Sequence, residues 1–332
     1  DAVRTAVGIF DQSSFAKFSV SGPDALAVLE RLSANSIDVP PGRGVYTQWL
    51  NDRGGIEADL TVTRLDGDVY WVVTSAASQT RDWAWLRRGC REHDVTISDI
   101  TDDWSVLGVM GPNSRGLLQS LTKIDLSDEA FTFGTMKSVV IADVTCRALR
   151  MSYVGELGWE LYVPVGQTEA VYSAVTEGGE PHGLRHAGFH AMNSLRLEAG
   201  YRHWGHDISD EDTPLEAGLG FAVAWEKPGG FVGREALLSQ RDAPKSKRLI
   251  QFRIEDAELI SYHDDPIFRD DIYVGRTTGG MWSHVEDRCL TMAYVGNSEG
   301  VTQRWLDDGE WEIEIGNRRR PVTPSIRSFY DP

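Results

Sequence analysis

The chain has 332 residues, a length that suggests about two domains and allows three small ones. Lys and Arg total 33 against 50 Asp and Glu, and the resulting formal charge of -17 disfavours nucleic acid and anionic membrane surfaces as partners. Hydrophobic residues make up 41%, and no apolar run reaches the roughly 18 residues that a membrane-spanning helix needs, so we expect a globular protein outside the membrane.

A short repeat supplies the first predicted elements. Residues 22–24 read Gly-Pro-Asp, follow a short apolar strand and precede leucines at helical spacing, and residues 111–113 read Gly-Pro-Asn in the same setting. Pro is favoured in the first turn of a helix, and Asp and Asn are favoured at its start. Each copy therefore predicts a strand, a turn and a helix. The alternative is a chance similarity between two short Gly-Pro motifs.

Alternation of apolar and polar residues then predicts a hairpin. The alternating strand covers 56–63, and Asp66-Gly67 turns the chain back into an apolar strand over 69–74. Asp59 lies on the polar face of the first strand. The second copy of the repeat is followed by predicted strands over 137–143, 145–152 and 158–163 and a helix over 168–176. Residues 1 to about 240 are thus predicted to form two intertwined α+β halves.

A further helix is predicted from Arg185 to Ala199, with Gly200 as its C-terminal cap. Beyond it the pattern changes to short strands over residues 248–254, 272–278, 290–295 and 311–315. The polar segment 242–247 is the best linker. The predicted domains are a first half over 1–105 with the Asp59 hairpin, a second half over 106–242, and an all-β, barrel-like domain over 248–332.

Common cofactor and catalytic motifs are absent from the sequence. The one G-x-G candidate, at 218–220, has Val223 in place of the third glycine, and there is no Walker loop, H-E-x-x-H or Gly-x-Ser-x-Gly elbow. The cysteines form no C-x-x-C pair and no secretory signal opens the chain, so we expect a reducing, cytoplasmic location. These cysteines are Cys90, Cys146 and Cys289.

Several histidines raise the question of a metal site: His182, His186, His190, His203 and His206. Asp207 follows the last of them, but no acidic or Cys ligand lies at helical spacing with the others. We therefore expect surface or capping histidines and no bound metal.

Three stretches are unusually rich in residues that could form a site, at 46–59, 153–160 and 193–200. In the second stretch Glu156 lies between glycines, where the backbone can approach closely and the carboxylate can be aimed. In the third, Arg196 shares one helical face with an asparagine and a glycine. From the residues alone, a structural salt bridge between the stretches explains them as well as a ligand site does.

These three stretches, in this order, resemble the aminomethyltransferase family: the glycine cleavage T-protein and the folate-binding C-terminal halves of dimethylglycine and sarcosine dehydrogenases. The resemblance extends from residues 8–11 to residues 293–295 and so covers nearly the whole chain. The sequence motifs at 153–160 and 195–200 are more similar to the dimethylglycine dehydrogenase type than to the T-protein.

The resemblance implies a fold and a set of site residues. The fold would be α+β, with three small domains in a cloverleaf around a central folate pocket and the last domain all-β. Asp59 matches the family's catalytic aspartate near N5 of tetrahydrofolate, and Glu156 matches the glutamate that holds the pterin. Tyr46 and Val73 match positions in the pocket wall, and Arg196 matches the arginine that supports the site.

These residue types suit folate chemistry. A pterin edge offers two parallel N–H donors, which a carboxylate such as Glu156 can accept together. Positive charge develops at N5 when a one-carbon unit at the formaldehyde level condenses there, and Asp59 would stabilise that charge or take the proton, a contribution of roughly 10²- to 10⁴-fold. The alternative for Asp59 is a solvent-facing carboxylate on a strand.

The resemblance therefore implies a tetrahydrofolate-dependent one-carbon transferase, which forms 5,10-methylenetetrahydrofolate from the carbon of an N-methyl amine such as dimethylglycine or sarcosine. The oxidation would fall to an FAD-dependent partner subunit or to a domain that this chain lacks, so the chain is either a piece of a larger oxidase or a stand-alone enzyme. Ser75 stands where the T-protein has Asn, which weakens the case for the aminomethyl-lipoyl protein of glycine cleavage as donor.

Other functions stay open. Within enzymes they are a folate-dependent demethylase or methyltransferase acting on a methylated small molecule, and a glycine-cleavage aminomethyltransferase. From another class comes a non-catalytic folate-binding assembly factor, whose relatives carry Lys-Gly-Cys-Tyr-x-Gly-Gln-Glu, whereas residues 227–235 here contain no cysteine. A folate with several glutamyl groups is anionic, so we also expect a local basic patch, with Arg196 and Arg202 as candidates.

Overall fold

Two open β-sheets and one closed barrel make up residues 1–331, the part of the chain that the computed structural model describes. Pro332, the end of the third predicted domain, lies outside that part. Among the described residues, none of the helices has the length and apolar character that crossing a membrane requires.

The first sheet has the strand order β3-β4-β5-β2-β6. The elements of this part of the chain are α1 (Ala2–Thr5), β1 (Val7–Asp11), β2 (Ala16–Ser21), α2 (Ala25–Leu32), β3 (Arg43–Leu50), β4 (Ile56–Asp66), β5 (Val69–Thr74), α3 (Gln79–Gly89) and β6 (Thr96–Asp99). Strand β4 alternates as expected: Ala58, Leu60 and Val62 pack under α2 and α3 in the core, whereas Asp59 and Thr61 lie on the opposite face.

The second sheet has the order β11-β1-β7-β10-β9-β8. Its part of the chain contains β7 (Trp104–Met110), α4 (Ser114–Leu121), β8 (Met136–Ile141), β9 (Val144–Leu149), β10 (Gly158–Pro164), α5 (Thr168–Gly179), β11 (Leu184–His186) and α6 (Phe189–Glu198). The order β8-β9-β10-β7 repeats the order β3-β4-β5-β2 of the first sheet, so the sequence repeat corresponds to a structural one. Strand β1 is inserted beside β7, and the N-terminal residues thereby complete the second sheet.

The two Gly-Pro motifs adopt the same conformation. Gly22 and Gly111 have φ of 129° and 134°, and a Cβ on either would meet a backbone oxygen at 2.5 Å, so only glycine fits. The following prolines do not lie in the first helical turn, as the sequence suggested. Each lies one residue before the N-cap, which is Asp24 for α2 and Asn113 for α4.

The helix predicted from Arg185 to Ala199 is shorter than expected. Leu184–His186 forms strand β11, which pairs in parallel with β1, and α6 begins only at Phe189. Pairing with a strand almost two hundred residues away therefore overrides the local helical pattern. The predicted end is confirmed, because Gly200 has the positive φ of 70° that a residue following a helix often adopts.

The C-terminal domain is a closed antiparallel barrel with the order β12-β15-β14-β13-β16-β17, which confirms the predicted all-β domain in an α+β fold. Its elements and the preceding helix are α7 (Arg234–Arg241), β12 (Lys247–Ile254), β13 (Pro266–Arg269), β14 (Ile272–Ser283), β15 (Arg288–Gly296), α8 (Gln303–Asp307), β16 (Trp311–Ile315) and β17 (Arg318–Ser325). The sequence did not predict β13 and β17, since prolines lie in both strands and an arginine run opens β17.

Each open sheet leaves one face without helices, and we call these the inner faces. The inner face of the first sheet carries Gln48, Asp59, Thr61, Trp71 and Val73, and that of the second sheet carries Gln12, Val106, Gly108, Glu160 and Tyr162. The two faces are turned toward each other, because Trp71 and Val73 of the first pack in one cluster with Val106 and Tyr162 of the second.

Candidate functional site

Antiparallel pairing gathers the predicted residues of the first sheet on its inner face. Tyr46 on β3 lies opposite Thr61 on β4, which lies opposite Val73 on β5, and Gln48 lies opposite Asp59. Residues directly opposite one another in a ladder point to the same side of the sheet. Three of the five predicted site residues, Tyr46, Asp59 and Val73, are therefore brought together.

Asp59 is deeply enclosed and still partly accessible to solvent. Burial raises its pKa to about 6, while hydrogen bonds from Gln48 and Tyr46 and the charge of Arg202 oppose the rise. The Gln48 amide donates from Nε2 to Asp59 Oδ1 at 2.9 Å. A carboxylate that is ionised near neutral pH and protonates readily is suited to proton transfer.

Tyr46 and Val73 border this carboxylate on two sides. Tyr46 packs against the cluster that joins the first sheet to the barrel, and its ring stacks with Phe221 at a centroid distance of 6.3 Å. Phe221 is 76% exposed, an unusual position for a large apolar ring. Val73 packs toward the second sheet instead. The two predicted wall residues thus mark the two boundaries of the inner face around Asp59.

The second sheet contributes a carboxylate that the sequence analysis missed. Glu160 on β10 lies opposite Gly108 on β7, which lacks a side chain, and the Gln12 side chain lies over the same glycine. Burial raises the pKa of Glu160 to about 6, and the Tyr162 hydroxyl donates to its Oε2 at 2.7 Å. Alternation could have identified it, since Trp159, Leu161 and Val163 point into the core and so turn Glu160 to the inner face.

Glu156 has a different environment. Arg4 donates from Nη1 to its Oε1 at 3.0 Å, and the Tyr330 hydroxyl donates to the same oxygen. The Arg4 guanidinium also contacts Glu198 on α6 at 2.6 Å. Glu156 therefore joins the N-terminal helix, the second sheet and the C-terminal residues. Its Oε2 accepts no hydrogen bond from residues 1–331 and stays available to a ligand.

Arg196 is 3% exposed and forms a buried ion pair with Asp207. It also donates to Asn193 Oδ1 at 2.7 Å and to the Tyr201 carbonyl at 3.0 Å. Asp207 in turn accepts a hydrogen bond from Thr278 of the barrel. Arg196 thus fixes the loop that follows α6, and that loop carries Arg202, whose charge favours the ionised form of Asp59.

Three histidines lie together, the half-buried His203 and the exposed His206 and His263. The rings of His203 and His206 are 4.5 Å apart, and His206 Nδ1 lies 3.3 Å from His263 Nε2. Burial lowers the pKa of His203 to about 4, so the ring is neutral at pH 7. Within residues 1–331, no three or more His, Cys, Asp and Glu side chains are grouped so that they could hold a metal ion.

Each inner face carries a carboxylate whose pKa burial raises to about 6, Asp59 on the first sheet and Glu160 on the second. Carboxylates pair well with N–H groups on a ring edge.

Two family models match this chain. Residues 1–227 match the GCVT N-terminal domain, and residues 247–331 match the glycine cleavage T-protein C-terminal barrel domain. Together they span both sheets and the barrel.

Curated relatives give the same result. The chain is 40% identical over 331 residues to 4-methylaminobutanoate oxidase (formaldehyde-forming) of Paenarthrobacter nicotinovorans, and the match covers 100% of this chain and 39% of the relative. It is 35% identical over 348 residues to human mitochondrial sarcosine dehydrogenase, covering 100% of this chain and 38% of the relative. The chain thus spans less than half the length of these relatives.

A solved structure supports the fold. The glycine cleavage system aminomethyltransferase T of Bartonella henselae matches with a TM-score of 0.86 and 24% identity, over 99% of this chain and 88% of that one. At that identity the likeness concerns the fold alone. With a family model over more than half of its length, the chain belongs to the aminomethyltransferase (glycine cleavage T-protein) family.

Proposed function

We propose that this chain catalyses tetrahydrofolate-dependent one-carbon transfer and forms 5,10-methylenetetrahydrofolate from the carbon of an N-methyl amine of the dimethylglycine or sarcosine type. Enzymes of the family use tetrahydrofolate as a substrate. The observation that carries the proposal is Asp59: an enclosed, partly accessible carboxylate with a pKa of about 6, on a face bordered by Tyr46 and Val73. A strand carboxylate that faces solvent would be neither enclosed nor raised in pKa.

The reaction needs a group that moves a proton. Tetrahydrofolate and formaldehyde form two C–N bonds, at N5 and N10, and the two nitrogen-bound hydrogens leave with the carbonyl oxygen as water. Asp59 would accept a proton from one nitrogen and return it to the departing oxygen. A carboxylate with a pKa of about 6 can do both near neutral pH, and its negative charge stabilises the positive charge that develops at N5.

The pterin edge needs a carboxylate that accepts two N–H groups. The family resemblance assigns this role to Glu156, and we propose Glu160 as a second candidate for it. Glu160 belongs to an inner face, where it lies opposite Gly108, whereas Glu156 Oε1 already accepts from Arg4 and Tyr330. Arg196 would act indirectly, by fixing the loop that carries Arg202.

The anionic glutamyl tail of folate would extend toward a cleft of about 70 Å³ between α6 and the barrel. Arg202 and Arg327 line this cleft, and Arg248 is close enough to Arg202 for the two charges to affect each other. None of the three pairs with a carboxylate among residues 1–331, although ion pairs are numerous elsewhere. Unpaired arginines on a protein of charge -17 favour an anionic ligand.

The carbon donor and the partner extend the proposal. The names of two relatives refer to a methylamino acid, to formaldehyde and to sarcosine, which favours a carbon from an N-methyl amine. We propose that an FAD-dependent subunit or domain oxidises this amine, and that the reaction takes place in the cytoplasm. Direct demethylation or methyl transfer from another small molecule and glycine cleavage are the alternative reactions. The rival of another class is a non-catalytic folate-binding assembly factor.

Calorimetry with tetrahydrofolate, followed by formaldehyde addition and detection of 5,10-methylenetetrahydrofolate, tests the proposal. We expect binding by the wild type, and for Asp59→Asn retained binding with turnover reduced roughly 10²- to 10⁴-fold, because the proton acceptor is lost. Asp143→Asn, which changes an exposed turn carboxylate, is the matched control and should behave as wild type. Full turnover by Asp59→Asn would contradict the role of Asp59, and binding without turnover by the wild type would favour the assembly factor.

A further inference from the structure

We propose that Gln48 is the positioning residue of Asp59 and that its side-chain amide serves both protonation states of that carboxylate by rotating end over end. The inference rests on the proposed function, in which Asp59 accepts and returns a proton. It adds a second member to the proton-transfer site, one that never touches the substrate.

The pairing of β3 with β4 fixes the two side chains side by side. Gln48 lies directly opposite Asp59 in the ladder, and its Nε2 donates to Asp59 Oδ1 at 2.9 Å. Gln48 is completely buried, whereas Asp59 retains some access to solvent. The amide therefore holds Oδ1 of the carboxylate from the protein side, while Asp59 keeps some access to solvent.

The other end of the amide has no partner. Gln48 Oε1 is fully buried and accepts no hydrogen bond from residues 1–331. A buried acceptor without a partner destabilises a protein by about 1–3 kcal/mol, so such groups are uncommon unless another state of the site uses them. An apolar residue of similar shape at position 48 would avoid that loss of stability. The chain nevertheless has a glutamine there, beside the reactive carboxylate.

Protonation of Asp59 offers Oε1 a donor, in exchange for the acceptor that Nε2 gives up. An ionised carboxylate only accepts hydrogen bonds, so it is bound by the amide N–H. A protonated carboxyl group carries an O–H donor, and a half-turn of the amide about its last side-chain bond brings Oε1 into the place of Nε2 to accept it. Each protonation state of Asp59 thus has one amide orientation that satisfies it, and no backbone movement is needed.

The other groups around Asp59 act on it in different ways. Tyr46 and Arg202 act on the ionised form, the first by a hydrogen bond and the second by its charge, and Asp82 lies behind the sheet and disfavours ionisation. Tyr153, which faces the site from the second half, feels the charges of Asp59 and Arg202 and its raised pKa keeps it protonated. The Tyr46 hydroxyl can also donate and accept, but the amide carries its donor and its acceptor on separate atoms, and the acceptor is buried without a partner among residues 1–331.

Two variants test the inference, with Gln79→Met as a matched control at an amide that contacts Asp99 instead. Gln48→Met should raise the pKa of Asp59 and move the acid limb of the kcat profile upward by about one pH unit, since the hydrogen bond to the ionised form is lost. KM for tetrahydrofolate should change less than twofold. Gln48→Glu keeps the side-chain shape and should shift the limb further, because two adjacent carboxylates then share a proton.

The pKa of Asp59 is also measured directly, by ¹³C NMR of labelled carboxyl groups in the ligand-free protein, with the ¹⁵N signal of the Gln48 amide followed over the same pH range. Both signals should titrate together in the wild type. A folded Gln48→Met or Gln48→Glu variant with an unchanged Asp59 pKa would overturn the positioning role, and an amide signal that ignores the titration would overturn the rotation. Neither readout needs turnover, so failure of the proposed function would be seen separately.

Discussion

Glu156 and Glu160 lie only four residues apart and have opposite environments. Glu156 shares its Oε1 between Arg4 and Tyr330, at the junction of the N-terminal helix with the C-terminal residues. No cation among residues 1–331 forms an ion pair with Glu160, and burial raises its pKa to about 6. A carboxylate that is buried without a positive partner is costly to keep ionised, and such groups cluster at functional sites.

We therefore expect the two glutamates to respond differently to the same substitution. Glu160→Gln should weaken tetrahydrofolate binding by roughly 10- to 100-fold, because hydrogen bonds from a ligand to a charged group contribute about 1.5–3 kcal/mol. Calorimetric titration of the purified variant measures this loss directly. Because Tyr162 can still donate to the amide oxygen, the fold should be retained.

Glu156→Gln is the matched control. It leaves the Arg4 guanidinium with Glu198 as its remaining carboxylate, so it should mainly lower the free energy of unfolding. If Glu156→Gln abolished binding and Glu160→Gln did not, the pterin carboxylate would be Glu156, as the family resemblance alone implies.

Short-range pairing explains why part of the candidate site could be placed from the sequence. Alternation puts Asp59 on the polar face of its strand, the family resemblance names Tyr46 and Val73, and the three lie on consecutive strands. Glu156 lies in a loop, and its partners Arg4 and Tyr330 are far away in sequence, so its ion pair was hidden. Glu160 could have been recognised by the same alternation that identified Asp59.

At the scale of elements, α6 connects the rest of the molecule to the barrel through polar groups. Ser194 donates to the Trp282 carbonyl at 2.6 Å, and Glu198 accepts from Ser283 at 2.8 Å. Arg196 reaches the barrel through Asp207 and its contact with Thr278. Residues 194, 196 and 198 are all buried, and the motif at 195–200 is therefore explained as a connection between domains.

Removing one member of this connection should be costly. Asp207→Asn keeps the side-chain shape but leaves Arg196 buried without a negative partner, so we expect the free energy of unfolding to fall by about 3 kcal/mol. Chemical denaturation measures the change. Asp128→Asn alters an exposed carboxylate that contacts Arg115 and Arg150, and it should change stability little. If both variants lowered the free energy of unfolding equally, the buried ion pair would stabilise the protein no more than a surface ion pair does.

Helix α6 is also the element whose length the sequence analysis overestimated. Its predicted start at Arg185 was wrong because residues 184–186 pair with β1, a strand contributed by the chain's first residues. Local periodicity cannot reveal such a pairing, whereas the end at Gly200 depends on a local requirement for positive φ and was predictable. Strands β13 and β17 were missed for a different, local reason, the prolines in both strands.

For the whole molecule, burial raises the pKa of three carboxyl groups, Asp59, Asp82 and Glu160, and so makes stability depend on pH. Asp59 and Glu160 both have a folded pKa of about 6, above the values of about 4 expected in the unfolded chain. The folded state therefore binds more protons than the unfolded state between about pH 4 and 6. The free energy of unfolding should fall as the pH rises through this window, by on the order of 2 kcal/mol for each group.

Neutral variants isolate this effect from the other titrating groups. Asp59→Asn and Glu160→Gln should match the wild type near pH 4 and should be more stable than it at pH 7.5, as measured by urea unfolding of the ligand-free protein at both values. A variant whose stability relative to the wild type did not change with pH would show that its carboxylate is not held above its usual pKa. Retaining two such groups in a chain of charge -17 costs stability in the free protein, and a ligand that donates N–H groups or protons to them offsets that cost on binding.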